Sequence, residues 1–170
     1  MYGLTPQNIG KVMNHGYAGS YARQPDMIAN THPAGADLPF GTALQYDANG
    51  AVVPMGAGST PQDFVGVASR EVKSALNYLE QDIGAYAKTE AVPVFMRGAI
   101  NVKCNVGAPQ LGGAVYVRIA ANESIPTGVV GGFEAAADGG NTVELTNCQW
   151  AGPADANGIA ELRILTMNKA

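Results

Sequence analysis

Nucleophilic hydrolysis needs a nucleophile, a base within reach and a group that orients that base. The chain offers two histidines, His15 and His32. Both fall in an irregular opening stretch where a preorganised base is hard to hold, so they read as polar residues making surface or subunit contacts. No Gly-x-Ser-x-Gly elbow occurs. Cys104 and Cys148 share no CxxC, HxxxH or HExxH spacing with each other or with the histidines, so no metal site is expected. Asp47 and Asp155 each precede Ala-Asn-Gly, which is turn chemistry; neither begins the alternating carboxylates of a calcium loop. Fourteen carboxylates leave room for a convergent pair of the glycosidase kind, yet no spacing singles one out. The stretch Gly56-Ala-Gly58-Ser-Thr lacks the third glycine and the lysine of a phosphate loop. Asn122-Glu-Ser124 matches a glycosylation tripeptide without a secretory signal to go with it. Six aromatics (Phe64, Tyr78, Tyr86, Phe95, Phe133 and Trp150) would make a sugar platform if exposed together; core and subunit packing is the simpler use. No catalytic, cofactor-binding or metal-binding constellation emerges, and the chain is expected not to be an enzyme.

The elements that would position any such groups are strands. Of 170 residues only 14% are charged, against a norm of about 25%, while 46% are hydrophobic and 22 are glycine. A disordered chain would carry more charge and less apolar surface, and a helical bundle more Leu, Glu and Lys. Net charge is −4 with no cluster of lysine or arginine, which argues against nucleic acid as a direct partner. No apolar run approaches the ~18 residues of a membrane span, so no membrane partner is expected. The opening residues lack a charged region followed by an apolar one, so they do not read as a signal peptide. Synthesis in the cytoplasm is the expectation, and two cysteines without a disulfide framework suit that compartment.

Residues 1–37 hold both histidines and several prolines without lasting periodicity, and they carry Tyr2, Leu4, Ile9, Val12, Met13, Tyr17, Tyr21, Met27 and Ile28. That is too much apolar surface for a solvated tail, so the segment is read as an extended arm ordered against its own body or a neighbouring subunit. Residues 38–170 read as a β-rich body with an excursion at about 75–90. Asp47-Ala-Asn-Gly50 between 41–46 and 51–53 predicts a hairpin with a type I′ turn, and Asp155-Ala-Asn-Gly158 repeats the signal. Ile100, Val102, Cys104 and Val106 alternate with polar residues. So do Val115, Val117 and Ile119 against Tyr116 and Arg118, Val143 and Leu145 against Glu144, and Ala160, Leu162 and Ile164 against Glu161 and Arg163. Seven or eight short strands in a small sandwich- or barrel-like body result: an all-β fold. Residues 71–83 stay divided between a helix, on the spacing of Val72, Leu76, Leu79 and Ile83, and a strand followed by a loop. Low charge, small residues and an apolar arm suit a protein that lies flat against other proteins.

The order of these blocks resembles the capsid cement (decoration) proteins of tailed bacteriophages. Gly19, Ala22, Pro25, Ile28 and Pro39-Phe40-Gly41 follow that family's arm and its first body strand. Phe64-Val-Gly-Val-Ala68 with Arg70-Glu-Val-Lys73, the Val92–Gly98 run, Ile100-Asn-Val102, Gly113-Ala-Val-Tyr-Val117 and the closing hairpin follow in the same order. The resemblance runs from about Gly19 to Met167. It implies a structural virion protein, commonly a homotrimer, docked on the outside of the major capsid protein shell and stapling neighbouring capsomers. It favours strand plus loop for 71–83, although Asn77-Tyr-Leu-Glu80 departs from the Gly- or Pro-rich loop expected there. Contact residues are expected on the arm (Tyr2, Leu4, Ile9, Val12, Met13, Tyr17, Tyr21 and Ile28) and on the excursion (Tyr78, Leu79 and Tyr86). A carbohydrate-binding sandwich module is the alternative, and a small carboxylate hydrolase a more distant one.

Overall fold

The computed structural model describes residues 14–71 and 84–168. Twelve strands lie among them: β1 Tyr21–Pro33, β2 Leu38–Pro39, β3 Ala43–Tyr46, β4 Val52–Pro54, β5 Gly66–Ala68, β6 Ala85–Tyr86, β7 Ala91–Lys103, β8 Tyr116–Arg118, β9 Phe133–Glu134, β10 Thr142–Glu144, β11 Cys148–Trp150 and β12 Ile159–Ile164. Apart from two single 3₁₀ turns, Pro61–Asp63 and Gly139–Asn141, the described regular structure is strand. The all-β expectation holds. The strand number exceeds the seven or eight expected because β2, β6 and β9 are two-residue ladders, too short to leave an alternating pattern, and because β1 falls in the segment read as an arm. Whether 72–83 is helix or loop lies outside the described residues.

Seven strands form the main sheet, in the order β11-β12-β7-β5-β3-β4 with β1 laid antiparallel along β7. The strands β10-β8-β9 make a second sheet and β2-β6 a third. Residues 21–33 of the segment read as an arm are thus a strand of the main sheet. One core fills the space between the main sheet and β8–β9, where Phe95, Ile100, Val102, Leu162 and Trp150 meet Val117 and Phe133. A second core, with Leu38, Leu44, Val92, Val94, Met96 and Tyr86, packs the other side against β2–β6. Phe95 and Ile100 point into the same core although one is odd and the other even in number. An unbroken strand would put them on opposite faces. Gly98, at φ +112°, lies between them, and the ladder to β1 shifts register there. It acts as a bulge that turns the rest of β7 over.

Both hairpin signals are borne out in position, but the turns are not type I′, which needs two positive φ values. Only the glycines, Gly50 (φ +78°) and Gly158 (φ +76°), are left-handed. The aspartates do the remaining work. Asp47 Oδ1 accepts from the amides of Asn49 and Ala51 at 2.8 and 2.9 Å, and Asp155 Oδ1 from those of Asn157 and Ile159 at 2.8 and 3.0 Å.

Candidate docking surface

The start of the described chain is stitched over β7 and β12. The His15 amide donates to Asp155 Oδ2 at 2.8 Å, and Asn101 Nδ2 donates to the His15 carbonyl at 2.8 Å and to Ser20 Oγ at 3.1 Å. Gly19 N donates to the Asn101 carbonyl at 2.7 Å, while Arg70 N donates to the Gly19 carbonyl at 2.8 Å. A Cβ on Gly19 would fall 2.8 Å from the Ala68 carbonyl, so glycine alone permits this approach. Beyond it Arg23 Nε donates to Glu161 Oε1 at 2.7 Å, and Arg163 Nε reaches the same oxygen at 3.3 Å. Asn101 and Glu161, the polar members of two alternating strands, are therefore buried under the arm. Burial pushes the Glu161 carboxyl up, yet the two guanidiniums outweigh it and hold the group below the usual range. At Asp155 burial is likewise outweighed, here by the amides of His15, Ile159 and Asn157, and its carboxyl is also held low.

Just past the stitched residues an apolar strip faces outward. Tyr17 is 67% exposed, with the Arg70 guanidinium 4.4 Å above its ring. A groove of about 240 Å³ follows, lined by Ala18, Pro39, Phe40, Pro54, Val129 and Val130 among others. Val129 and Val130 are 56% and 40% exposed. They ride on the long β8–β9 connection, which closes over Arg118. Alternation placed Arg118 on the outward face of its strand; it is instead wholly buried. Arg118 Nε and NH2 fork onto Glu134 at 2.5 and 2.9 Å, and NH1 reaches Asp138 at 2.7 Å. Asn122 Nδ2 also donates to Asp138, at 2.9 Å, so the amide of the glycosylation tripeptide is committed inside the chain. The donors from Asn122 and Arg118 hold the Asp138 carboxyl below its usual range. Gly128 seals this arrangement, because a Cβ there would stand 2.2 Å from Arg118 Nε.

Of the contact residues expected from sequence, Tyr2, Leu4, Ile9, Val12, Met13, Tyr78 and Leu79 lie outside the described residues. Tyr17 is open to solvent. Tyr21 is half-buried, its ring 5.5 Å from that of Phe95 and its hydroxyl donating to Glu71. Ile28 is half-buried in β1 opposite Arg97. Tyr86 is buried: its hydroxyl donates to the Ser69 carbonyl at 2.7 Å and its ring meets Phe40 edge-on at 5.1 Å. Its surface is taken up inside the chain, and it has no part in the docking surface proposed below. Phe64, Phe95, Phe133 and Trp150 are buried too, which removes five of the six aromatics from any sugar platform. His32 packs edge-on to Tyr46 at 5.2 Å, far in sequence and partners from the Asp155 turn that holds His15. Among the described residues no three His, Cys, Asp or Glu side chains converge to hold a metal. Val129, Val130, Leu165 and Met167 were not anticipated as exposed apolar groups. Only the Gly-Val-Val-Gly-Gly composition at 128–132 hinted at an exposed apolar loop.

The surface is thus that of a β-body with an arm stitched over its sheet and several apolar side chains open to solvent. The family model described as "Structural cement protein (E217 gp24/Pam3 gp6)" matches residues 5–165, and the chain belongs to that family. That family is one of structural cement proteins of phages. In three dimensions the protein is similar to a chain of the structure titled "The capsid of Myoviridae Phage XM1", with 16% identity and a TM-score of 0.71 over 96% of this chain and 98% of that one. At that identity the likeness shows the fold. Among curated proteins none matches this chain in sequence. The family is a structural one, consistent with the expected lack of enzymatic activity.

Proposed function

We propose that the protein docks as a homotrimer on the outer surface of the major capsid protein shell, staples neighbouring capsomers and stabilises the head against internal DNA pressure. It is made in the host cytoplasm, needs no cofactor, and contacts neither nucleic acid nor membrane. The observation that carries this reading is the family match, which spans arm and body together. The stitched residues support it, since any load taken by residues 1–13 passes through His15, Gly19 and Asn101 into the main sheet. Apolar surface buried against the shell contributes about 25 cal/mol per Å². That contact exists only in the assembled shell, so it raises the cost of opening the shell by linkage.

The test is sedimentation of the purified protein, alone and with shells that lack it. A trimer that co-sediments at a fixed ratio to shell subunits is the expected result, together with shells that withstand higher temperature before releasing DNA. Deleting residues 1–13 is expected to weaken attachment while leaving the circular dichroism spectrum unchanged. A monomer that stays in the supernatant would overturn the proposal, and full binding by the truncated chain would remove the arm from it.

A further inference from the structure

On the face carrying Arg23 the bulge at Gly98 opens a second cleft, of about 410 Å³, lined by Arg23, Asp26, Gly98, Arg163 and Leu165 among others. Glu161, whose side chain is 8% exposed, holds the Nε of both Arg23 and Arg163 on one oxygen. No other described residue bonds either guanidinium, so their outer nitrogens are left to the cleft, with side chains 65% and 42% exposed. The lining residue Asp26 is itself paired with Arg97, at 3.2 Å. Three guanidiniums against two carboxylates leave one positive charge in excess on a chain whose net charge is −4. The geometry differs from that of scattered surface arginines. A buried carboxylate already holds each guanidinium by its Nε, at 2.7 Å for Arg23 and 3.3 Å for Arg163, so an arriving anion has less side chain to order. Leu165, 48% exposed, supplies an apolar wall.

We propose that this cleft is a carboxylate-binding site that takes an extended protein segment carrying an aspartate or glutamate next to an aliphatic side chain. The carboxylate is received by the free guanidinium nitrogens of Arg23 and Arg163, and the aliphatic group lies on Leu165. A protein segment is favoured over nucleic acid because two acids border the site and the whole chain repels polyphosphate. Resting on the function proposed above, the segment belongs to the major capsid protein, and the cleft gives the attachment its register.

Two measurements separate this inference from that reading. In the first, ¹⁵N-labelled protein is titrated with the end-blocked peptide Ala-Leu-Asp-Leu-Ala and with its Asn counterpart. The Asp peptide is expected to shift the Nε–H signals of Arg23 and Arg163 and the amides of Gly98 and Leu165, and to bind about tenfold better than the Asn peptide. The doubly substituted R23K/R163K, which keeps the charge and loses the forks, is expected to lose this preference while its remaining spectrum reports an intact fold. Equal shifts from the two peptides, or none from either, would overturn the proposal, as would a duplex DNA oligonucleotide that shifts the same signals more strongly. In the second, shells lacking the protein are bound by wild type and by R23Q/R163Q across a salt series. About tenfold weaker binding and a flatter salt dependence are expected of the variant. Equal binding by both would overturn the proposal. Failure of wild type itself to bind shells would sink the shell-binding reading and leave the peptide titration to decide the cleft.

Discussion

Arg118→Met removes the cation from the most deeply buried ion pair described in this protein. Both side chains are 0% exposed, and the guanidinium meets Glu134 through two parallel bonds. Among the described residues no other side chain bonds Glu134, so the substitution strands a carboxylate in a dry site. Breaking a buried pair from one side costs about 3–5 kcal/mol, a large part of the roughly 5–15 kcal/mol that holds an ordinary domain together. At about 2–4 °C per kcal/mol for a chain of this size, melting falls by about 10 °C. Substituting both partners with methionine removes the stranded charge as well as the pair. Such exchanges are often neutral or stabilising, so the double variant is expected to recover most of the loss. Urea denaturation followed by circular dichroism reads all three proteins. A single variant that loses less than about 1 kcal/mol would show that Glu134 does not depend on Arg118. A double variant worse than the single would show that the pair adds net stability, and would refute the desolvation reasoning.

Gly98→Ala is expected to destabilise by about 2 kcal/mol or more, because the new Cβ would sit 2.3 Å from the Asp26 carbonyl at a residue with φ +112°; unchanged melting would refute the bulge as described. Burial alone pushes the Cys148 thiol far up, and burial also raises that of Cys104, which is only half-buried. A colorimetric disulfide reagent at pH 8 is therefore expected to react slowly with Cys104 and to reach Cys148 only on unfolding, and rapid labelling of both in native protein would contradict this. Asp138, Asp155 and Glu161 are each held below their usual range when folded, so they bind fewer protons folded than unfolded. Their contribution is complete above about pH 4.5 and is lost as pH falls through the folded values. The urea midpoint is thus expected to hold steady from pH 7 to about 5 and then to drop. Substituting Glu161 with Gln should flatten that drop, and a midpoint that rises on acidification would exclude the linkage.

The sequence pattern recovers which side of a strand faces inward but not what covers the other side. Ile100 and Val102, Val115 and Val117, and Ala160 and Leu162 lie in the core as their alternation indicates. Asn101, Glu161 and Arg118 carry the same polar signal as any solvated residue. What buries them is a segment far away in sequence, and periodicity within a strand holds no information about it. The arm's longest element escaped notice for a related reason: β1 shifts register between Tyr21 and Arg23 and again before Ile28, which erases its alternation. The turns were legible because Asp and Gly act locally. Tyr86 misled because an aromatic in an irregular stretch looks exposed until its partner Phe40 is brought to it. The cleft between Arg23 and Arg163 was illegible for the same reason: its two cations come from opposite ends of the chain.

The ladders of β7 also set the order in which the molecule can be completed. Its residues 91–100 accept β1 from upstream, while its residues 98–103 accept β12 from close to the end of the sequence. A nascent chain therefore holds its first strand in waiting until the middle strand has left the ribosome, and neither settles fully before the last strand arrives. Pairings this distant in sequence form slowly. Until then the edges of β7 stay open and prone to wrong partners. Pairing along β7 is thus completed only once residues 159–164 have emerged, and a ribosome that stalls before residue 159 yields a chain with its central strand half paired.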